Sequence, residues 1–289
     1  NFVVSTAVVG FGFLNSKGAF AEPKQKFVLT ENIKTPESAY FDTVTSKVFV
    51  SNVAGNPGEK DKVGWITEFT LDKTGHYQSR KLTEGLNAPK GLRSKGGMLY
   101  VSDIDELVQI EIATGKVIKK TPAPGATFLN DVVIADDGRI YASDMIASKI
   151  YAFDQDGAKV FMEGSELASP NGLLIHKGAL IVASWGLITD PATFGVKIPG
   201  NLYSINLKTK KISNITKKPV GNLDGLELAN DGNFIVSDWV AGSIFKINAK
   251  TGKSKILLEK LKNSADIGYQ KGTLLVPEMS ADRVVGYSL

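Results

Sequence analysis

Short stretches of alternating apolar and polar residues run along most of the chain. Three examples are ITEFTLDKTG from Ile66, KIYAFDQDG from Lys149 and SIFKINAKTG from Ser243, and each ends in a turn that contains glycine. Period-two alternation closed by such a turn is typical of a half-buried antiparallel strand and its hairpin. Long stretches with a helical period are missing, so the pattern predicts an all-β protein built from many short strands.

A short motif recurs within this pattern: an apolar strand that ends in serine, followed by an acidic or amide residue. Its copies are Ser51-Asn52, Ser102-Asp103, Ser143-Asp144 and Ser237-Asp238, with degenerate copies at Ser184-Trp185 and Pro277-Glu278. Another short apolar strand precedes each copy, beginning at Pro36, Pro89, Leu129, Pro170, Leu223 and Ala265. The steps between these starts are 53, 40, 41, 53 and 42 residues. Units of about 40 residues with four short strands are typical of propeller blades, so the repeat predicts a six-bladed β-propeller with four-stranded antiparallel blades.

The last repeat unit lacks one strand, and an unassigned strand precedes the first unit. The last unit holds only three strands before Leu289, while residues 26–30 (KFVLT) form a strand that no unit uses. We expect this N-terminal strand to become the outer strand of the last blade, which closes the ring and covers an open edge. Residues 22–289 are then one propeller domain.

The first 21 residues differ from the rest. An apolar run over residues 3–14 precedes Ala19-Phe20-Ala21, a small-x-small site like that of a secretory signal peptide. The run lacks an initiating Met and basic residues, so we interpret residues 1–21 as a truncated signal, and it is short for a transmembrane helix. We expect an exported protein, periplasmic or secreted, with no stable membrane insertion after signal removal. The absence of cysteine excludes disulfides and thiolate metal sites, and it fits a periplasm.

Composition and charge narrow the classes of partner. The 43% hydrophobic content of the 289 residues is enough for a sizeable core. The net charge is only +4, and the densest basic patch, residues 207–218 (LKTKKISNITKK), lacks the interleaved aromatics of a nucleic-acid site. We interpret that patch as an exposed strand whose lysines discourage edge pairing, and we expect no nucleic-acid partner.

The propeller topology brings the starts of all six first strands to one mouth of the central channel. The residues at these equivalent positions are Glu37, Lys90, Asn130, Asn171, Asp224 and Asp266. The two longer units carry their extra residues at 54–64 and 186–200, in loops that rise from the same mouth. Long loops beside a polar cavity are typical walls or lids of a binding site. Trp65, Trp185 and Trp239 lie at the same strand ends, where they either pack between blades or line the pocket.

The chemistry of this ring is oxygen only. Glu37 and Asp224 offer carboxylates, and Asn130 and Asn171 offer amide oxygens, a set that suits Ca²⁺ and less strictly Mg²⁺ or Mn²⁺. Zinc is disfavoured because neither of the only histidines, His76 in a hairpin turn and His176 inside a strand, belongs to the ring. The alternative is a water-filled polar channel in which Lys90 neutralises a carboxylate. A nearby ammonium opposes cation binding, unless Lys90 pairs with Asp266.

Four short motifs resemble the regucalcin/gluconolactonase family, which is related to the paraoxonase and diisopropylfluorophosphatase propellers. They are PESAYFD from Pro36, Asn130-Asp131, PNGL from Pro170 and DGL from Asp224, and the resemblance covers residues 26–289. It implies that Glu37, Asn130, Asn171 and Asp224 bind a catalytic divalent cation, and that the protein hydrolyses lactones or, as in some members, phosphotriesters. Asp224 would then activate water or act as the nucleophile.

The chain departs from that family at one substrate position. Sugar-lactonase members carry an arginine two residues before the Asn-Asp pair, and this chain has Phe128 there. The change implies a ligand less polar than a sugar lactone. Phe128 therefore joins Lys90, Trp185, Trp239 and Asp266 as predicted lining of the substrate pocket.

Two functions remain open at this stage. One is a calcium-dependent hydrolase of lactones or related esters, a monomer with a small-molecule substrate. The other is a non-catalytic propeller that binds a small ligand or a protein partner, because a fold alone never determines function. A strictosidine-synthase-like propeller is a third option, which the four oxygen ligands disfavour, and the histidine dyad of paraoxonases has no counterpart here.

Overall fold

The computed structural model describes residues 22–289 and is almost entirely β. It contains six four-stranded antiparallel sheets and one two-stranded sheet, and the first strands of the six sheets contact one another in a closed ring. The predicted six-bladed propeller is confirmed. The predicted signal peptide, residues 1–21, lies outside the described residues. Within residues 22–289, no helix has the length and apolar character needed to cross a bilayer.

Blades 1 to 5 follow chain order from the innermost strand outward. Blade 1 is Pro36–Asp42, Lys47–Asn52, Gly64–Leu71 and Tyr77–Leu86; blade 2 is Pro89–Lys95, Met98–Asp103, Glu106–Glu111 and Val117–Pro122; blade 3 is Leu129–Ile134, Ile140–Asp144, Lys149–Asp154 and Gly157–Glu163; blade 4 is Pro170–His176, Ala179–Ser184, Leu202–Asn206 and Ile212–Asn214; and blade 5 is Leu223–Leu228, Phe234–Asp238, Ser243–Ile247 and Ser254–Leu258. The two-stranded sheet pairs Ile188–Asp190 with Gly195–Val196, and short 3₁₀ turns span Ser165–Leu167 and Met279–Ala281.

Blade 6 is assembled from both ends of the described chain. Its inner three strands are Gly268–Gln270, Thr273–Glu278 and Arg283–Ser288, and its outer strand is Lys24–Leu29, which pairs antiparallel with Arg283–Ser288. The predicted closure of the ring by the N-terminal strand is confirmed.

The start predicted for the innermost strand of blade 6, at Ala265-Asp266, is wrong. That strand begins at Gly268 and is three residues long. Asp266 instead pairs with blade 1, because its backbone N–H donates to the carbonyl of Glu37 (2.9 Å) and its carbonyl accepts from the N–H of Ala39 (3.1 Å). The backbone groups of Asp266 are therefore satisfied by blade 1, whereas the N–H of Ala265 donates to the carbonyl of Pro277 in blade 6 (3.2 Å).

The apolar core lies between neighbouring blades. Tyr141 and Ile150 of blade 3, for example, pack against Leu173 and Val182 of blade 4. Because the apolar faces of the sheets cover one another, the core does not extend into the channel, which is lined by residues at the ends of the inner strands. Polar side chains can occupy it without disrupting the core.

In blades 2, 3 and 5 the serine of the repeated motif donates a hydrogen bond to the inner strand of the next blade or to the segment just before it. The Ser143 hydroxyl accepts from the N–H of Asp131 in its own blade (3.0 Å) and donates to the carbonyl of Asn171 in blade 4 (2.8 Å). Ser237 makes the same pair of bonds, with the N–H of Gly225 (2.7 Å) and the carbonyl of Ala265 (2.8 Å). In these three blades the motif is therefore a blade-to-blade connection that holds neighbouring blades in register.

In five of the six blades a bulge near the start of the inner strand releases one residue from the regular pairing. In blades 1 to 5 the pairing with the second strand shifts directly after Pro36, Pro89, Leu129, Pro170 and Leu223. A bulged residue is released from the regular alternation and can be directed toward the strand end. The next residues in these five strands are Glu37, Lys90, Asn130, Asn171 and Asp224, which the bulges place at equivalent positions around the channel.

Candidate functional site

A cavity of about 430 Å³ lies at the mouth of the channel where the inner strands begin. Five of the six predicted ring residues line it: Glu37, Lys90, Asn130, Asn171 and Asp224. The two long loops contribute as predicted, with Pro57 from the first loop and Thr193 to Val196 from the second. The structure therefore brings the four predicted cation ligands together in one cavity with Lys90.

Two of the predicted ligand oxygens are buried without a partner. Glu37 is 4% exposed and Asn171 is 1% exposed, and neither Glu37 Oε2 nor Asn171 Oδ1 has a hydrogen bond within the described residues. The amide nitrogen of Asn171 donates to the carbonyl of Leu223 (3.3 Å), so the side chain is oriented while its oxygen stays free. A buried acceptor without a partner costs about 1–3 kcal/mol, and more when it is charged. A bound cation would supply the missing partner.

The donor set is unusual in its small number of carboxylates. Among residues 22–289, no three or more His, Cys, Asp or Glu side chains form a group that could hold a metal ion. The predicted set has two carboxylates and two amide oxygens. Such oxygen donors fit a hard cation such as Ca²⁺, whose remaining positions can be filled by water.

The two carboxyl groups are electrostatically suited to a cation. Burial, together with the neighbouring carboxylates of Asp224 and Asp266, raises the pKa of Glu37 well above its usual value. Burial and the carboxylates of Asp266 and Asp131 do the same for the pKa of Asp224. Both shifts disfavour the charged carboxylates while no cation is bound, and a divalent cation would favour them, because it binds the deprotonated form.

Lys90 is held by backbone carbonyls. It is 2% exposed, its ammonium donates to the carbonyls of Ala88 and Pro57, both at 3.0 Å, and it lies 4.3 Å from the centre of the Phe128 ring. Burial lowers the pKa of Lys90 to about 8, so the side chain is still mostly protonated at pH 7. The suggested pairing of Lys90 with Asp266 is wrong, because another residue neutralises Asp266.

That residue is Arg93, which sequence reasoning missed. Asp266 is not among the residues that line the cavity; one of its oxygens accepts from Ser38 and from the Arg93 guanidinium (3.1 Å). Arg93 also forms longer ion pairs with Asp131 (3.7 Å) and Glu227 (3.9 Å). These residues form the Arg93 cluster, in which Asp131 and Asp266 are buried and the side chains of Arg93 and Glu227 are 12% and 17% exposed, and the cluster is separate from the cavity lining.

A signal for this cluster does exist in the sequence. Arg93 follows Lys90 by three residues, and Glu227 follows Asp224 by three. Strict alternation directs residues three apart to opposite faces of a strand, but one bulge residue between them restores the same face. Because the bulges were not predicted, both residues were overlooked.

In metal-free protein the Arg93 cluster should make stability fall as pH rises from 5 to 8. Burial raises the pKa of Asp131 to about 7 and that of Glu227 to about 8, above the ordinary values of 3.8 and 4.5. The folded state therefore binds more protons than the unfolded state across this range, so deprotonation opposes folding. Thermal unfolding in a chelator at several pH values tests this, and a melting temperature that rises over the same range would contradict it.

Aromatic side chains form the other wall of the cavity. Phe128, Trp185 and Trp239 line it as predicted, and Phe194 of the second long loop joins them. The rings form a continuous series, with centroids 5.5 Å apart for Phe128 and Phe194, 6.3 Å for Trp185 and Phe194, and 5.9 Å for Trp185 and Trp239. Trp65 lies elsewhere, with its Nε1 bonded to the carbonyl of Asn32 (2.9 Å). Two of the three tryptophans are thus pocket walls.

Neither histidine lines the cavity. His76 is exposed in a hairpin turn, where its ring bonds to Thr74 (3.0 Å). His176 ends the inner strand of blade 4 and packs edge-on against Phe234. The polar side chains of the cavity lining are therefore carboxyl, amide, ammonium and hydroxyl groups, without an imidazole.

Comparisons with known proteins identify the fold. No protein-family model matches the chain, and no curated protein sequence matches it. Among solved structures, virginiamycin B lyase from Staphylococcus aureus is similar with a TM-score of 0.60 and 14% identity, over 93% of this chain and 100% of that one. A catalytically inactive histidine-to-alanine variant of that lyase with quinupristin has a TM-score of 0.61 and 13% identity over the same shares of both chains.

A further streptogramin B lyase structure is similar with a TM-score of 0.60 and 13% identity, over 92% of this chain and 97% of that one. Identities this low show a shared propeller fold and carry no activity across. The resemblance to the regucalcin family stays a prediction, while the six-bladed propeller is supported by both the strand pairing and these neighbours.

Proposed function

We propose that this protein is a divalent-cation-dependent hydrolase, with Ca²⁺ the best-suited ion, that acts on lactones or related esters with a substantial apolar part. The observation that carries the proposal is the pair of buried, unpartnered oxygens of Glu37 and Asn171. They lie in a cavity whose remaining wall is aromatic. A cation would be the missing partner of these two oxygens, and an apolar acyl or alkoxy group of the substrate would pack against the aromatic wall.

Four side chains would hold the ion: Glu37, Asn130, Asn171 and Asp224. When bound, the cation polarises a carbonyl or phosphoryl oxygen of the substrate. Asp224, buried at the polar side of the cavity, would accept a proton from the water that attacks the acyl carbon, or would itself attack that carbon to form an anhydride that water then hydrolyses. In both cases the acyl C–O bond breaks and the alcohol oxygen leaves with a proton. The aromatic wall of Phe128, Trp185, Trp239 and Phe194 orients the apolar part and excludes bulk water.

The structural neighbours suggest lyase chemistry as a comparison. One of them is inactive when a histidine is replaced by alanine. Neither histidine of this chain lines the cavity, since His76 and His176 have other partners. A reaction that depends on histidine is therefore disfavoured here, and the carboxyl groups and Lys90 are the cavity groups that can donate or accept a proton.

A non-catalytic binding propeller is the second candidate. Lys90 favours it, because a protonated ammonium in the same cavity as Glu37 can offset one carboxylate without any metal. In that case the cavity binds a small apolar ligand and no cation is required.

Cation titration of metal-free protein separates the two candidates. Calcium should raise the melting temperature, because a ligand that binds only the folded state stabilises it by about 2.7 kcal/mol at a hundred times its Kd. Asp224→Ala should abolish the calcium response, and Asp137→Asn, at an exposed carboxylate, should retain it. Mg²⁺, Mn²⁺ and Zn²⁺ are measured alongside, with hydrolysis of the aromatic lactone dihydrocoumarin as the activity readout.

For Asp224→Ala we expect that hydrolysis to fall by at least about a hundredfold, the usual scale for losing an acid–base group. No rise in melting temperature with any of the four cations would contradict the hydrolase. The ring would then be the polar lining of a binding site.

A further inference from the structure

One charged side chain in the cavity has no role in the cation site. An ammonium group has three N–H donors, and Lys90 uses two of them on the carbonyls of Ala88 and Pro57. Lys90 forms no salt bridge with any carboxylate of residues 22–289. One N–H donor is therefore left for a ligand in the cavity that this lysine lines, and the ammonium charge, which acts on Glu37 through space, is not taken up by an ion pair.

The charge balance of the cavity points the same way. Its charged lining residues are Glu37, Asp224 and Lys90. A divalent cation cancels these two carboxylates, so among the charged side chains of the lining only the positive charge of Lys90 remains, moderated by the carboxylates of Asp103 and Asp144 outside the lining. Unpaired charge is costly in a buried, partly aromatic site, and a ligand with one negative charge would compensate it.

The aromatic wall limits the shape of such a ligand. The Lys90 ammonium lies over the ring of Phe128, and that ring contacts Phe194. An anionic group bound to Lys90 therefore adjoins an apolar surface that continues to Trp185. A compact sulfate or phosphate ion would leave this surface uncovered, whereas an aromatic or long-chain carboxylate would cover it.

We propose that Lys90 is an anion-recognising residue, and that the loaded cavity selects ligands with one carboxylate attached to an aromatic or other apolar body. The inference rests on the proposed function for the charge of the bound cation. A lactone is neutral, but its ring-opened hydroxy acid is a carboxylate of this class. Lys90 therefore makes the protein bind the product of hydrolysis more tightly than a neutral analogue of the same shape.

The test compares a carboxylate with its neutral amide. The probes are 3-(2-hydroxyphenyl)propanoate, which is ring-opened dihydrocoumarin, and 3-(2-hydroxyphenyl)propanamide, titrated by calorimetry at pH 7 with saturating calcium. The parent should prefer the carboxylate, and Lys90→Met should reduce that preference at least about tenfold, the scale of a charge-assisted hydrogen bond. Calcium interacts with the carboxylate in both proteins, so the change in preference isolates the contribution of the lysine.

Two controls define the result. Lys90→Arg keeps the charge and should retain most of the preference. Lys60→Met removes an exposed lysine of the first long loop, which pairs with Asp105, and should leave the preference unchanged. Equal binding of the two probes by the parent, or an unchanged preference in Lys90→Met, would overturn the assignment.

The calcium response is scored separately. Lys90→Met should bind calcium as tightly as the parent or more tightly, because a like charge has been removed. If calcium does not raise the melting temperature of the parent, the proposal of a cation-dependent hydrolase is contradicted. The titration of the two probes is then repeated in chelator. Equal binding of the probes by the parent, or an unchanged preference in Lys90→Met, would again overturn the role of Lys90.

Discussion

Replacing Arg93 by leucine should lower the free energy of unfolding by about 3–5 kcal/mol, the usual cost of removing one partner from a buried charge network. Arg93 is the counter-ion of Asp266 and lies within ion-pair distance of Asp131 and Glu227, on three other blades. The substitution leaves these buried carboxyl groups facing one another without a cation. Denaturant unfolding at pH 7.5 in a chelator measures the loss.

Arg139→Leu is the matched control. Arg139 pairs with Asp137 at an exposed site, where an ion pair contributes at most about 1 kcal/mol. The loss in Arg93→Leu should also shrink at pH 5, because Asp131 and Glu227 are then protonated and need no counter-ion. A stability equal to that of the parent at pH 7.5 would show that Arg93 does not hold the inner strands together.

Gly172→Ala should destabilise the fold by about 1–3 kcal/mol or more, the range found when extra atoms are forced into a packed interior. A Cβ at Gly172 would lie 2.0 Å from the backbone carbonyl oxygen of Asp224, on the next inner strand. Backbone cannot move aside as a flexible side chain can, so the two strands must separate. Because Asn171 and Asp224 lie on these strands, calcium binding should weaken as well.

Gly58→Ala separates this clash from a general effect of losing a glycine. Gly58 lies in the first long loop, where the nearest atom to an added Cβ is 3.8 Å away, so its stability should change by less than about 0.5 kcal/mol. The melting temperature and the calcium affinity of both variants are measured together. A Gly172→Ala protein with the calcium affinity of the parent would contradict the close approach of these strands as a requirement of the site.

Much of the architecture was available from the sequence because it depends on local, repeated patterns. Apolar and polar residues alternate because successive side chains of a strand point to opposite faces, and this alternation can be recognised in each repeat unit. The repeat of about 40 residues determined the number of blades, and the unused strand at residues 26–30 predicted how the ring closes. The repeated serine was also visible, but its bonds to two neighbouring inner strands were not.

The cavity was predicted less completely than the blades. Equivalent positions in the repeat placed Glu37, Lys90, Asn130, Asn171 and Asp224 at one mouth, and the structure brings these five together. The sixth position did not follow, because the backbone of Asp266 pairs with blade 1 and its side chain turns to Arg93. A repeat predicts which residues occupy equivalent positions. That equivalence fails in blade 6, whose innermost strand is only three residues long.

The sequence by itself determined the fold class, the blade count and the residue types around one mouth of the channel. Only the tertiary structure decided which charges neutralise which, because Arg93 and its partners come from blades 2, 3, 5 and 6. It also decided that Phe194 of a long loop completes the aromatic wall beside Trp185. Strand patterns arise from neighbours along the chain, whereas ion pairs and cavity walls depend on distances between residues far apart in sequence, and these are set only when the ring closes.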